Sequence, residues 1–385
     1  MKILHIYKDY YPVVGGIENH VRVLAEAQSS SGHHTTVLAT NPNFRTVAGS
    51  MNGVHVILAG RVSTIASMPI SIALPWILTR LHPDLVHIHS PFPLGEVSAW
   101  IFRRTIPTVI TYHSDVVRQK GWLALYRPLL RRILRRADSV VVSSPRYVET
   151  STWLRPVRDK CMVIPFGVDD QRFSPPAETF HGPPTLLFVG KLRYYKGLDT
   201  LLSAMVSLPD VWLNIIGDGP QRKRLERMTI DLRLTERVRF MGDVDHLTLP
   251  QYYRKAHVFV LPSNARAEAF GTVLLEAMAS GLPCVTTELG TGTSWVVQDG
   301  IQGVIVPPRD PGALAEAIRS LMKDEGLRTR MGQAGRKRVM ALFRQPLMIR
   351  RIEELYQSLL DTFDGARPRF LDRGKKRRHS TCSWP

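Results

Sequence analysis

The stretch TLLFVGKLRYYKGLDTLLSAMVSLPDVWLNII, residues 185–216, decides the fold. It opens on an apolar strand at Thr185–Val189 and turns through a loop that ends in Lys196-Gly197. A helical stretch over 198–207 and a second strand at 211–216 complete a βαβ unit. The N-terminus carries the same layout: a strand at 2–7, a Pro/Gly loop through Gly15-Gly16, a helical stretch from 17 to about 30, and a strand at 35–39. A pattern that restarts halfway along the chain reads as two doubly wound domains.

A length of 385 residues suits two domains of ordinary size. The spacing places further strands at 54–59, 85–89, 108–112 and 139–143 in the first half, and at 238–241, 257–261, 283–286 and 303–306 in the second. The join falls at Ile164-Pro165-Phe166-Gly167-Val168-Asp169, after a strand at 162–164. The domains are therefore 1–165 and 166–345, followed by a helix over 346–364 and a basic tail, 365–385, that reads as disordered. Neither βα loop has the GxGxxG pattern of a dinucleotide site.

Hydrophobic residues make up 44% and charged residues 22%, which suits a globular protein. Cys161, Cys284 and Cys382 are far apart and form no CxxC pair, which speaks against a zinc site or a disulfide framework. The N-terminus reads as a buried strand rather than a secretory signal. The most apolar region, 65–81, is interrupted by Pro69, Pro75 and Arg80 and falls short of the ~20 apolar residues of a membrane span. A net charge of +18 asks for an anionic partner: nucleic acid, an anionic membrane or a phosphorylated substrate.

Ligands of such sheets bind at the carboxyl ends of the strands. The loops after Tyr7, Val189, Ile216 and Leu261 are therefore where chemistry is expected, and each is Gly-rich or charged. The most informative segment is Glu268-Ala-Phe-Gly-Thr-Val-Leu-Leu-Glu276, with Pro262-Ser263 upstream, Gly281-x-Pro283 downstream and Asp299-Gly300-x-x-Gly303 beyond. It resembles the EX7E signature of the retaining GT-B glycosyltransferases, family 4. Two further segments fit that family: Gly190-Lys191-Leu192-Arg193-Tyr-Tyr-Lys196-Gly197 resembles its G(R/K)L…KG loop, and Gly15-Gly16-Ile-Glu18 its GG(I/V)E loop.

The resemblance covers nearly the whole chain and implies a fold: α/β, GT-B, two Rossmann-like parallel-sheet domains facing a cleft, with the C-terminal helix crossing back to the N-terminal domain. It implies roles as well. Glu268 contacts the hydroxyls of the donor sugar and Glu276 the ribose of the nucleotide, while backbone amides at Phe270, Gly271, Thr272 and Val273 hold the diphosphate. If the stretch is mostly helical, Glu268 to Glu276 rises ~12 Å, which matches the reach from hexose to ribose, and Phe270, Gly271 and Thr272 form the helix start, which favours an anion. A surface helix with two solvated glutamates is the plainer account of the same pair. Arg193 and Lys196 grip the diphosphate and stabilise its charge as it departs; otherwise they are loop cations in water. Gly15 and Gly16 bring amides to the diphosphate from the acceptor-side domain, and Gly217, in Gly217-Asp-Gly-Pro220, lies near the nucleotide or simply makes a turn. His113, in Thr-Tyr-His113-Ser-Asp115, lines the site near the donor sugar, or else is a core histidine. His87 and His89 share one face of their strand, with His89 the nearer to the cleft.

Asp243-Val-Asp245 spells a DxD motif, yet two carboxylates alone make a poor metal site. No metal and no cofactor are expected beyond the nucleotide-sugar donor. Residues 116–137, VVRQKGWLALYRPLLRRILRRA, combine an apolar stripe with Arg127, Arg131, Arg132, Arg135 and Arg136, the pattern of a helix lying on an anionic membrane. A helix packed on its own domain explains it equally. Nucleic acid is not expected, because no recognition motif accompanies the charge. The resemblance extends to bacterial mannosyl- and rhamnosyltransferases of surface-polysaccharide assembly. It implies GDP-mannose or a related deoxysugar donor, a lipid-linked or glycan acceptor, and a cytoplasmic, peripheral position on the inner face of the membrane. UDP-dependent glucosyl or galactosyl transfer is the alternative. A non-catalytic scaffold of the same fold would be expected to lack Glu268, Arg193 or Lys196, and all three are present.

Overall fold

The computed structural model describes residues 1–13, 15–65, 68–103, 105–115, 120–178 and 180–366. The first half runs β1 (Lys2–Ile6), α1 (Gly16–Ser30), β2 (His34–Asn41), β3 (Val47–Met51), β4 (Val54–Gly60), β5 (Ser63–Ile65), β6 (Met68–Ile70), α2 (Ala73–Arg80) and β7 (Leu85–Ser90). It continues with α3 (Pro93–Phe102), β8 (Thr108–Tyr112), α4 (Lys120–Arg136), β9 (Ser139–Val142), α5 (Pro145–Thr150) and β10 (Cys161–Val163). Among the described residues these strands form an eight-stranded sheet in the order β10-β9-β8-β7-β1-β2-β4-β3, with β5 and β6 as a separate hairpin. Within the eight-stranded sheet pairing is parallel except for β3, which runs antiparallel to β4. Sequence reading passed over β3 because its exposed VAGSM run has no apolar alternation. The signal was the turn: Asn52 and Gly53 both take positive φ, as a two-residue hairpin requires.

The second half runs β11 (Thr185–Val189), α6 (Leu198–Met205), β12 (Trp212–Ile216), α7 (Arg222–Asp231), β13 (Val238–Gly242), α8 (Leu249–Arg254) and β14 (Val258–Leu261). Then come α9 (Thr272–Ala279), β15 (Cys284–Thr287), α10 (Thr293–Val296), β16 (Gly303–Val306), α11 (Pro311–Lys323), α12 (Glu325–Leu342) and α13 (Gln345–Ala366). Its parallel sheet has the order β13-β12-β11-β14-β15-β16, the doubly wound Rossmann arrangement. In each sheet the winding reverses between two neighbours, β1 and β7 in one and β11 and β14 in the other, and the loops leaving those strands open a crevice.

Two chain segments pass side by side between the halves. Val168 N–H donates to the Phe343 carbonyl (2.8 Å), and Gln345 N–H donates to the Val168 carbonyl (3.0 Å). From there α13 crosses to the first domain, where Met348, Ile352, Leu355 and Tyr356 are buried against Ile3, Leu24, Leu85 and Val141. Hydrophobic burial of this apolar face holds the crossing in place.

In α4, Leu130, Ile133 and Leu134 are buried in the first domain's own core, and Arg127, Arg132, Arg135 and Arg136 are exposed. The described part of the stripe is thus packed inward. Residues 116–119 of that segment lie outside the described residues, as do the side chains of Trp122 and Leu125 and residues 367–385 of the tail. No helix of the described residues is long and apolar enough to cross a membrane.

Candidate active site

Lys196 closes a short 3-10 turn after β11 (Tyr194–Lys196), and Gly197 follows it in the left-handed region (φ +67°). A Cβ on Gly197 would collide with the Pro262 carbonyl, so glycine alone lets this loop meet the one that leaves β14. That approach brings Lys196 Nζ to 2.6 Å from Glu268 Oε2, and both residues are only 8% exposed. Ser263 Oγ donates to the same carboxylate oxygen at 3.1 Å. Burial by itself would lower the Lys196 pKa. The Glu268 carboxylate and Tyr195 counter it, and the net shift is upward, so the ammonium stays charged. Arg193, at the head of the same turn, is exposed, and its carbonyl accepts from the Lys196 amide at 3.1 Å.

The helix start expected at Phe270, Gly271 and Thr272 is found there, while Glu268 lies outside the helical rise. The helix α9 starts only at Thr272, because Gly271 takes φ +76° and breaks the run. Glu268 sits in the preceding loop, where its amide donates to the Ala265 carbonyl at 3.0 Å. The amides of Thr272 and Val273 nevertheless stand in the first turn, where N–H groups lack intrahelical partners. The Phe270 side chain is buried against Phe166 (ring centroids 5.1 Å apart), leaving only its backbone to a ligand. Glu276 lies on α9 and accepts from the Tyr253 hydroxyl at 2.6 Å. Burial raises its pKa to about 7, opposed by that bond and by Arg172.

From the other domain, α1 begins at Gly16 with Gly15 as its cap residue. A Cβ on Gly16 would lie 3.9 Å from Thr272 Oγ1. The starts of α1 and α9, one from each domain, therefore face each other across the cleft, and both carry the positive end of a helix dipole. Gly217 (φ +116°) follows β12, with its amide on the Gly242 carbonyl at 2.7 Å; a Cβ there would strike the Gly190 carbonyl. It locks two loop bases together. Asp243 and Asp245 are exposed beyond the edge strand β13, where Asp245 caps its own turn through the Leu247 amide at 3.1 Å.

His113 follows β8 and is 3% exposed. Its ring stacks on Phe166 at 5.5 Å, and its Nε2 lies 3.1 Å from His89 Nδ1. Burial holds it well below the usual histidine range, with His20 adding to the effect. His87 and His89 do share a face, with ring centroids 4.3 Å apart. The expectation that His89 faces the cleft is overturned: it is fully buried, with His5 on one side and His113 on the other.

Some site neighbours were missed from sequence. Arg266 Nη2 reaches Asp115 Oδ2 at 3.2 Å, joining the loop after β14 to the loop after β8. Arg266 also donates to the Gly290 carbonyl (2.8 Å) and to Thr150 Oγ1 (3.1 Å). No local pattern marks such a pair, since its partners are 151 residues apart. His5 did leave a trace, as a polar residue inside the apolar run of β1.

Comparison with known proteins agrees with this architecture. Residues 169–338 match the family described as Glycosyl transferases group 1, and residues 14–172 match Glycosyltransferase Family 4. The O-antigen chain mannosyltransferase C of Escherichia coli is 36% identical, over 94% of this chain and 100% of that protein. The D-rhamnosyltransferase WbpZ of Pseudomonas aeruginosa is 37% identical, over 89% of this chain and 92% of that protein. Among solved structures, the sucrose-phosphate synthase of Thermosynechococcus elongatus superimposes with a TM-score of 0.80 at 26% identity, over 94% of this chain and 99% of that one. The chain belongs to family 4 of the glycosyltransferases, with the GT-B fold, and it is a hexosyltransferase.

Proposed function

We propose that the protein transfers a mannosyl or rhamnosyl residue, with retention of anomeric configuration and without a metal, from a nucleotide-diphosphate sugar to a lipid-linked or glycan acceptor. GDP-mannose or a related GDP-deoxysugar is the proposed donor. The observation that carries this reading is the meeting of two helix starts at Gly16 and Thr272, with Lys196 paired to Glu268 on the loop that leads into the second of them. Such a constellation can neutralise a diphosphate without a metal ion. The names of the two relatives support the sugar and the polysaccharide context.

As the bond from the sugar C1 to the β-phosphate oxygen breaks, Lys196 and Arg193 meet the charge that grows on the leaving group. The acceptor hydroxyl bonds to C1 from the same face, and its proton passes to a β-phosphate oxygen. Glu268, already fixed by Lys196 and Ser263, accepts hydrogen bonds from sugar hydroxyls, and charged bonds of this kind contribute roughly 1.5–3 kcal/mol each. Glu276 receives the ribose, and His113 lines the sugar pocket.

The exposed arginines of α4 form the face proposed to meet anionic lipid on the cytoplasmic side. Flotation with anionic and neutral liposomes tests this, and equal partitioning argues against it. The decisive experiment for the reaction is a donor screen that follows nucleotide release, with GDP-mannose, GDP-rhamnose, UDP-glucose and UDP-galactose side by side. Turnover with GDP-linked sugars and an α-linked product is expected; turnover confined to UDP-sugars, or an inverted product, overturns the reading.

A further inference from the structure

Five histidines, His5, His20, His87, His89 and His113, are buried together beneath the cleft, and three of them form a row. Gln28 Oε1 lies 2.7 Å from His5 Nε2, His5 Nδ1 lies 3.1 Å from His89 Nε2, and His89 Nδ1 lies 3.1 Å from His113 Nε2. Each imidazole is neutral, since burial holds all three below the usual range. A neutral imidazole has one donor nitrogen and one acceptor nitrogen.

The row therefore has a single consistent direction once its end is set. The Gln28 oxygen only accepts, so His5 carries its proton on Nε2 and accepts at Nδ1. His89 must then donate from Nε2 and accept at Nδ1, which places the His113 proton on Nε2. His113 Nδ1 is left bare, and it is buried without a hydrogen-bond partner among the described residues. Its ring lies against Phe166, which in turn touches Phe270 on the donor-domain loop.

We infer that Gln28, His5 and His89 are positioning residues that lock the tautomer of His113, so that its Nδ1 meets the donor as a bare hydrogen-bond acceptor. A hydroxyl of the sugar donates to it, and a group that can only accept is refused. The row does not carry a proton away, because it ends on an amide that takes none up. This inference rests on the proposed placement of His113 beside the donor sugar.

Ring nitrogen–proton correlation spectra of 15N-histidine-labelled protein at pH 7.5 test the lock without any reaction, and transfer assays test its consequence. In the wild type, His113 is expected to show a protonated Nε2 and an unprotonated Nδ1. His5→Leu removes the contacts to Gln28 and to His89 that set the direction of the row, and the His113 signals are expected to shift to a mixture, with kcat about tenfold lower and KM within about threefold. His5→Gln again donates to Gln28 and accepts from His89, and is expected to restore both the spectrum and kcat to within about threefold. A proton on Nδ1 in the wild type, or a His5→Leu spectrum and kcat equal to wild type, overturns the lock, as does Zn2+ displacing the Nε2 protons at stoichiometric concentration. Should His5→Leu not fold, the wild-type spectrum and His5→Gln decide alone. A failed donor screen with the expected spectrum would count against the donor assignment, not the tautomer.

Discussion

Arg266 Nη2 and Asp115 Oδ2, 3.2 Å apart, join the two domains at the rim of the cleft. Asp115 is braced on its own side by Ser151 Oγ (2.8 Å) and by the Tyr112 hydroxyl (3.2 Å). Arg266 lies over the Tyr147 ring at 5.6 Å. The pair spans the cleft next to both His113 and Glu268, so opening the domains must break it.

Asp115→Ala and Arg266→Ala are each expected to lower kcat/KM about tenfold while shifting Tm by only a few degrees. A partly exposed ion pair contributes little to global stability, on the order of 1 kcal/mol. The double variant should lose much less than the product of the two single losses, because both remove one contact. Fully multiplicative effects would show that the pair does not act as a unit.

Lys196→Ala is expected to reduce kcat by on the order of 10²–10³, as for the removal of one donor to a charged transition state. The far-UV circular dichroism spectrum should be retained, since Lys196 and Glu268 lie between the strands and α-helices and not within them. Near-normal turnover would remove Lys196 from the chemistry.

Acid should destabilise the protein before most carboxylates titrate. Burial pulls His5 down to about 4 and His20 down to about 3, and His87, His89 and His113 are also lowered. Unfolded histidines take up protons near pH 6.5, where the buried ones refuse them. The stability they contribute is therefore complete above pH 6.5 and is lost as pH falls towards 4, by about 1.4 kcal/mol per group per pH unit. Glu276, raised to about 7, acts in the opposite sense and contributes stability that is lost as pH rises through 7. Five histidines outweigh one glutamate, so the urea midpoint should fall between pH 6.5 and 4.5. A flat midpoint across that range would contradict the neutral histidine core.

Excess EDTA is expected to leave transfer unchanged, because Lys196, Arg193 and the two helix starts supply the positive charge. Strict dependence on a divalent cation, measured by adding back Mg2+ or Mn2+, would assign that task to a metal instead.

Much of this was legible in the residues. The βαβ units at 2–39 and 185–216 followed from apolar periodicity, and short βα loops pinned Gly15, Gly16 and Lys196 to strand ends. The helix start at 270–272 was legible as well, whereas a continuous helical rise from Glu268 was not met, because Gly271 caps the helix and leaves Glu268 in the loop before it. The amphipathic pattern of α4 was read correctly, yet a stripe alone does not say whether protein or lipid covers it, and Leu130 and Leu134 turned out to face the domain's own core.

The sequence by itself determined the two doubly wound domains, the family, and the loops that carry the site, because strand period, turn glycines and local motifs act over tens of residues. Only the tertiary structure decided that Lys196 pairs with Glu268, that Arg266 bridges to Asp115, and that His5, His89 and His113 stand in a row. Those contacts join positions 24 to 151 residues apart, and they exist because parallel sheets align the ends of strands that are remote in sequence.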